Sequence, residues 1–181
     1  SWISGPAVFC WNDTVTYTTT GVTGATSYIW TVPIGVLIIS GQNTASITVT
    51  GVSSYLTGDI CVKAKNDCGS SGFYCKPVEV QIAPQPISSI TGSANGVCGQ
   101  TLNYSVPNQP GVTYTWTIPS GANLNSGQGT NSISVTYSNA NITGSIAVTA
   151  SGFCGPAVSK SKTIRAKPLS PTAINGPGSI C

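Results

Sequence analysis

Tyr28-Ile29-Trp30-Thr31-Val32-Pro33 and Tyr114-Thr115-Trp116-Thr117-Ile118-Pro119 are two copies of one phrase, 86 residues apart. In each, Tyr, Trp and Val or Ile fall on alternate positions, the spacing of a strand with one face turned inward. Copies of the flanking sequence lie on both sides. Ile3-Ser4-Gly5 with Phe9-Cys10 returns as Ile90-Thr91-Gly92 with Val97-Cys98. Gly41-Gln42-Asn43-Thr44 ahead of Ile47 and Val49 returns as Gly127-Gln128-Gly129-Thr130 ahead of Ile133 and Val135. Asn66-Asp67-Cys68-Gly69 returns as Gly152-Phe153-Cys154-Gly155, and a third copy opens at Ile174-Asn175-Gly176 and reaches Cys181. A fixed period points to arrayed modules rather than to one pocket built from unique residues. We expect repeats at 1–85 and 86–170, the start of a third at 171–181, and a longer parent protein.

The same alternation runs through the rest of each copy. Val15 and Tyr17, Ile60 to Ala64, and Val78 to Ile82 recur as Leu102 and Tyr104, Ile146 to Ala150, and the stretch from 157 to 164. Turns such as Pro33-Ile34-Gly35 and Pro119-Ser120-Gly121 separate them. No stretch of helical period and useful length appears. Six or seven short antiparallel strands per copy, with a Trp on a central strand, predict an all-β fold of tandem immunoglobulin-like β-sandwiches. The joints 83–86 and 166–171 carry two prolines each, which favours extended, semi-rigid spacers and an end-to-end arrangement.

Composition narrows the function. Charged residues make up 6 % of the chain, against roughly 25 % in an average globular protein, and hydroxyl and amide side chains supply the polarity instead. Lys160, Lys162, Arg165 and Lys167 lie close together but without an aromatic among them. They read as a solvated last strand that resists edge pairing, not as a nucleic-acid face. No apolar run approaches the about 18 residues of a membrane span, so no membrane insertion is expected. With no His in the chain, a His-based triad or general base is excluded. Asp13, Asp59, Asp67 and Glu79 are the only carboxylates, too scattered for paired acid–base work or a recurring cation site. We expect no enzyme, no cofactor and no metal. Trp30 and Trp116 have inward parity and read as core. Trp2 and Trp11 have no counterparts, and an exposed Trp11-Asn12-Asp13-Thr14 stretch suits either packing on a neighbouring domain or stacking on sugar rings.

Seven cysteines spaced seven or more apart do not fit zinc, whereas disulfides fit an oxidising, extracytoplasmic compartment. Cys10 and Cys98 recur, as do Cys68 and Cys154, so repeat equivalence pairs Cys10 with Cys68 and Cys98 with Cys154. Cys61 and Cys75 are special to the first copy. They flank the turn around Cys68 symmetrically, and Cys61 has outward parity, which predicts a cross-strand bridge on the surface. Cys181 is left unpaired in this chain, its partner belonging to the incomplete third repeat; an intermolecular bond is the alternative.

Together these phrases resemble the PKD-like, immunoglobulin-like repeat of Bacteroidota surface and secreted proteins. The resemblance covers both copies and the third stub; Asn43 in place of Gly and the extra cysteine pair are the departures in the first copy. It implies a very large parent exported by type IX secretion, at the cell surface or outside the cell, acting as an adhesin, a gliding-motility protein or a stalk. It carries no catalytic residues. The Asp13-Thr14-Val15 stretch resembles an O-glycosylation acceptor of that phylum, which makes Thr14 a glycosylation candidate. The resulting expectation is a structural stalk or filament segment of a surface adhesin or gliding-type protein. Its partners would be neighbouring repeats, like chains in a filament, or extracellular glycan. The alternative is a module that itself binds carbohydrate or a surface.

Overall fold

The computed structural model describes residues 3–52, 55–138 and 142–165. Among them there are strands, turns and loops and no helix, so none long and apolar enough to cross a membrane. They divide into two compact units. The first is Ser1–Gln85 with Gln109–Val112 and Ser151–Ala157; the second is Pro86–Asn108, Thr113–Ala150 and the chain from Val158 onward. The third-repeat stub at 171–181 and the joint at 166–171 lie outside the described residues.

In the first unit the strands are β1 (Ile3–Ser4), β2 (Val8–Cys10), β3 (Thr14–Thr19), β4 (Ser27–Thr31), β5 (Val36–Ser40), β6 (Ser46–Gly51), β7 (Leu56–Asn66), β8 (Gly69–Ser70) and β9 (Tyr74–Gln81). One sheet has the order β1-β3-β6-β5 and the other β2-β9-β7-β4, with β8 hairpinned onto β7. One pairing decides where the cysteines lie. β2 runs parallel to β9, which places Cys10 beside Gln81. β9 runs antiparallel to β7, which places Val80 beside Leu56, where β7 begins. Between the sheets, Phe9, Tyr17, Trp30, Ile47, Val49, Ile60, Val62, Val78 and Val80 form the core. The alternating phrases read from the sequence supply these inward positions. The architecture is therefore all-β, a sandwich of immunoglobulin type.

The second unit repeats the plan with β10 (Thr101–Ser105), β11 (Thr113–Thr117), β12 (Ala122–Ser126), β13 (Ser132–Tyr137), β14 (Thr143–Ser151) and β15 (Val158–Arg165). Its sheets have the orders β10-β13-β12 and β11-β14-β15. Tyr104, Trp116, Ile133, Val135, Tyr137, Ile146, Val148 and Ile164 are buried there. β15 is an edge strand, and its Lys162 donates to the Ile90 carbonyl at 2.9 Å. A charge anchored on an edge strand discourages further strand addition.

The recurring polar motifs turn out to be fold-building devices. Gln42 Oε1 accepts from the Trp30 backbone N–H at 3.1 Å, and Gln42 Nε2 donates to the Trp30 carbonyl at 3.0 Å. Gln128 holds Trp116 in the same way, at 2.8 and 3.0 Å. One side-chain amide thus takes the place of a neighbouring strand and ties β4, or β11, to the opposite sheet. The indole N–H donates to the Thr44 carbonyl at 2.9 Å, and its counterpart to the Thr130 carbonyl at 2.8 Å, so neither buried indole leaves its donor unpaired. Gly41 opens this loop at φ 87°, where an added Cβ would lie 2.0 Å from the Ser46 carbonyl oxygen. Asn43 and Gly129 share the left-handed slot that follows, at φ 77° and 90°. Asn is the side chain that tolerates it best, which is why the departure from Gly costs the fold little. Tyr17 and Tyr104 donate to the Pro6 and Ser93 carbonyls, each at 2.7 Å, pinning the entry of each copy to its core.

Candidate functional site

The cysteines are the chemistry this chain carries. Cys61 on β7 stands opposite Cys75 on β9 in register, with Cα atoms 4.0 Å apart, and the two are joined. This is the surface hairpin bridge that parity predicts. The other bridge differs from the sequence expectation. Cys10 is bonded to Cys154, 144 residues away, with Cα atoms 5.8 Å apart. The expected pairs Cys10–Cys68 and Cys98–Cys154 are therefore corrected. Cys68 is a free cysteine on the surface, and Cys98 is half-buried.

The reason is strand polarity. Because β2 lies parallel to β9, Cys10 sits level with the beginning of β7. Cys68 follows the far end of that strand. Ten residues of extended chain span on the order of 30 Å, far beyond the reach of a disulfide. In the second unit Asn95 bridges to Arg165, and Arg165 faces Thr143 at the start of β14. Cys98 follows Asn95 by three residues and so lies near the start of β14. The equivalence itself also slips. Gly5 and Gly92, Tyr17 and Tyr104, and the left-handed Asn12 (φ 65°) and Gly99 (φ 64°) are 87 apart. Cys98 thus takes the place of Trp11, and Cys10 that of Val97. Cys181 lies outside the described residues.

The surroundings of the Cys10–Cys154 bridge all belong to the first unit. The Trp11 backbone N–H donates to the Gln81 carbonyl at 2.8 Å, and Cys154 Sγ lies 3.6 Å from the same oxygen. The Gln85 N–H donates to Gln109 Oε1 at 2.7 Å, and Gln109 Nε2 donates back to the Gln85 carbonyl at 3.0 Å. Gly155, at φ 67°, sits where a Cβ would come within 2.5 Å of the Ala83 Cβ, so only glycine fits. Beside the bridge a hollow of about 310 Å³ is bounded by Trp11, Asp13, Gln81 and Ile82 among others. Trp11 is 49 % exposed, while Trp30 and Trp116 are core residues. Gln81 Nε2 donates to Glu79 Oε1 at 2.6 Å, and its Oε1 is buried with no partner.

Among the described residues, no three His, Cys, Asp or Glu side chains come together as a metal group would require. Asp13 is exposed at the hollow beside the Cys10–Cys154 bridge, whereas Asp59 and Glu79 line another hollow of about 380 Å³, with Glu79 beside Tyr55 and Gln81. Desolvation and then the Glu79 carboxylate push the Tyr55 hydroxyl above its ordinary value. Burial pushes Tyr17 up to about 12, and burial likewise raises Tyr104 and Tyr137, whose hydroxyls meet at 3.0 Å. The shifts of Tyr17, Tyr104 and Tyr137 come from burial in the two cores. Thr14 is exposed at the start of β3, opposite Thr50. Trp2 lies outside the described residues.

The family model for the PKD-like domain matches residues 1–77 and again 83–164. The chain belongs to the PKD-like domain family. No curated protein matches it by sequence. Among solved structures, murine CEACAM1b is similar at 13 % identity and a TM-score of 0.45, over 91 % of this chain and 98 % of that one. The C-terminal fragment of intimin, solved with the intimin-binding domain of its translocated receptor, is similar at 11 % identity and a TM-score of 0.41, over 91 % of this chain and 63 % of that one. The Yersinia pseudotuberculosis adhesin InvE gives 16 % and 0.38, over 90 % and 58 %. The family match, not these likenesses, fixes the assignment.

Proposed function

We propose that this PKD-like chain is a non-enzymatic, extracellular spacer segment of a large surface protein of adhesin or gliding type. The observation that carries the reading is where the recurring residues go. Tyr17 and Tyr104, Trp30 and Trp116, and Gln42 and Gln128 are all consumed in building the sandwich. What these recurring residues supply is thus a way to fold. Two disulfides among the described residues support an oxidising, extracytoplasmic setting. In this reading the repeats at 1–85 and 86–170 serve as covalently stapled building blocks and have their partners in neighbouring repeats of one polypeptide.

The spacer reading is tested by exchange. Replacing this segment of the parent protein with an unrelated pair of immunoglobulin-like domains should leave adhesion within about twofold. A second reading, a carbohydrate-binding module, is favoured by one feature, the exposed Trp11 beside Asp13 on the hollow of about 310 Å³. Saturable binding of the isolated chain on a glycan array, abolished by Trp11→Ala, would establish that reading and sink the spacer.

A further inference from the structure

The two loops of the second copy that join the first unit, Gln109–Val112 and Ser151–Ala157, have counterparts in the first copy. Shifted back by the period of 86, they fall at 23–26 and 65–71. Those counterparts border an open hollow of about 310 Å³, lined by 22–25, 64–66 and 68–71. In the second copy the same two loops receive Gln81, Ala83, Pro84 and Gln85, the hydrogen bonds of Gln109, and the Cys10–Cys154 bridge. In the first copy the corresponding cysteine, Cys68, is free and exposed on the hollow. Gly155 is crowded by Ala83, whereas Gly69, in the same slot, has no atom within 4 Å of its added Cβ.

We propose that this hollow receives another PKD-like repeat lying upstream in the same polypeptide, and that Cys68 forms a disulfide with that repeat's cysteine at the position of Cys10. The occupant follows from continuity with the packing already present. The loop pair that accepts the end of the first copy in one place is built again, from the same positions, one period earlier. The covalent step is thiol–disulfide exchange. The disulfide of an extracytoplasmic oxidoreductase, or of a small-molecule disulfide, accepts two electrons and two protons as it becomes two thiols. The Cys68 thiolate and its partner leave as the new S–S bond. The Cys68 bridge would then match the Cys10–Cys154 bridge, joining a late cysteine to an early one in the copy before it.

The proposal is independent of the spacer reading, since a glycan-binding array and a passive one can be stapled alike. Its test is non-reducing peptide mapping of the parent polypeptide, isolated under N-ethylmaleimide. The expected result is a Cys68 peptide bonded to a cysteine of an upstream PKD-like repeat. Recovery of Cys68 as the maleimide adduct, bonded to Cys98, or bonded to a second chain would overturn it, as would a parent with no repeat upstream. A second measurement uses the 181-residue chain itself. Without denaturant, Cys68 should take up maleimide at least tenfold faster here than in a chain extended by the upstream sequence. Equal rates would also overturn the proposal.

Discussion

The turns at 66–69 and 152–155 occupy the same place in two copies of one motif, and each ends in Cys-Gly. One cysteine is almost fully buried and bridged to Cys10; the other is free on the surface. Their flanking residues differ, Asn66-Asp67 in one and Gly152-Phe153 in the other. What also differs is whether the end of a preceding copy lies against the turn. A disulfide needs Cα atoms within about 7 Å, and for Cys154 it is the end of the preceding copy that brings the second cysteine into reach.

The largest expected effect separates the two bridges of the first unit. In the chain-entropy model, closing the 144-residue separation of Cys10 and Cys154 stabilises by about 5 kcal/mol, and closing the 14-residue separation of Cys61 and Cys75 by about 3 kcal/mol. The paired variant Cys10→Ser/Cys154→Ser should lose more than Cys61→Ser/Cys75→Ser in denaturant titrations of the intact chain. The reverse order would break the contrast between a staple across copies and one across a hairpin.

A smaller effect probes what the copies share. Gln42→Ala and Gln128→Ala each leave a half-buried Trp peptide N–H and carbonyl without partners, at a cost of about 1–3 kcal/mol. The two geometries agree to within 0.3 Å in each hydrogen bond. The losses should therefore match, and a difference above about 1 kcal/mol would show that the clamp supports the two sandwiches unequally.

The smallest effect at neutral pH belongs to the buried tyrosines. Tyr17 in the folded chain titrates at about 12, above its ordinary value of 10.0. A raised pKa means stability that is fully present below pH 10 and is lost as the pH rises from 10 through 12. Tyr17→Phe should cost about 1 kcal/mol at pH 7, where the bond to the Pro6 carbonyl is lost. The same variant should flatten the alkaline fall in thermal melts. An unchanged slope between pH 10 and 12 would place the titrating group elsewhere, with Tyr104 and Tyr137 as the counterparts to examine.

Much of the fold is legible in the residues because a strand's period of two is a local property. Trp30, Ile47, Ile60 and Val78 announce an inward face without knowledge of what lies across it. The Cys61–Cys75 pair is legible for the same reason, since both partners belong to one hairpin and parity sets their faces. The Gly41-Gln42-Asn43-Thr44 phrase is visible as a repeat, but not as a clamp. Its Gln reaches across the sandwich to a peptide group twelve residues back, and no pattern along the chain encodes that reach.

The all-β class, the period and the inward faces are written along the chain, because they follow from backbone geometry and alternation. Which cysteines meet is set in three dimensions. That outcome hangs on the parallel pairing of β2 with β9, which sets Cys10 and Cys68 at opposite ends of one sandwich. It hangs also on a one-residue change of offset that puts Cys98 where Trp11 stands. Alternation in a sequence fixes which way a side chain faces, whereas a disulfide depends on which strand ends come together in space.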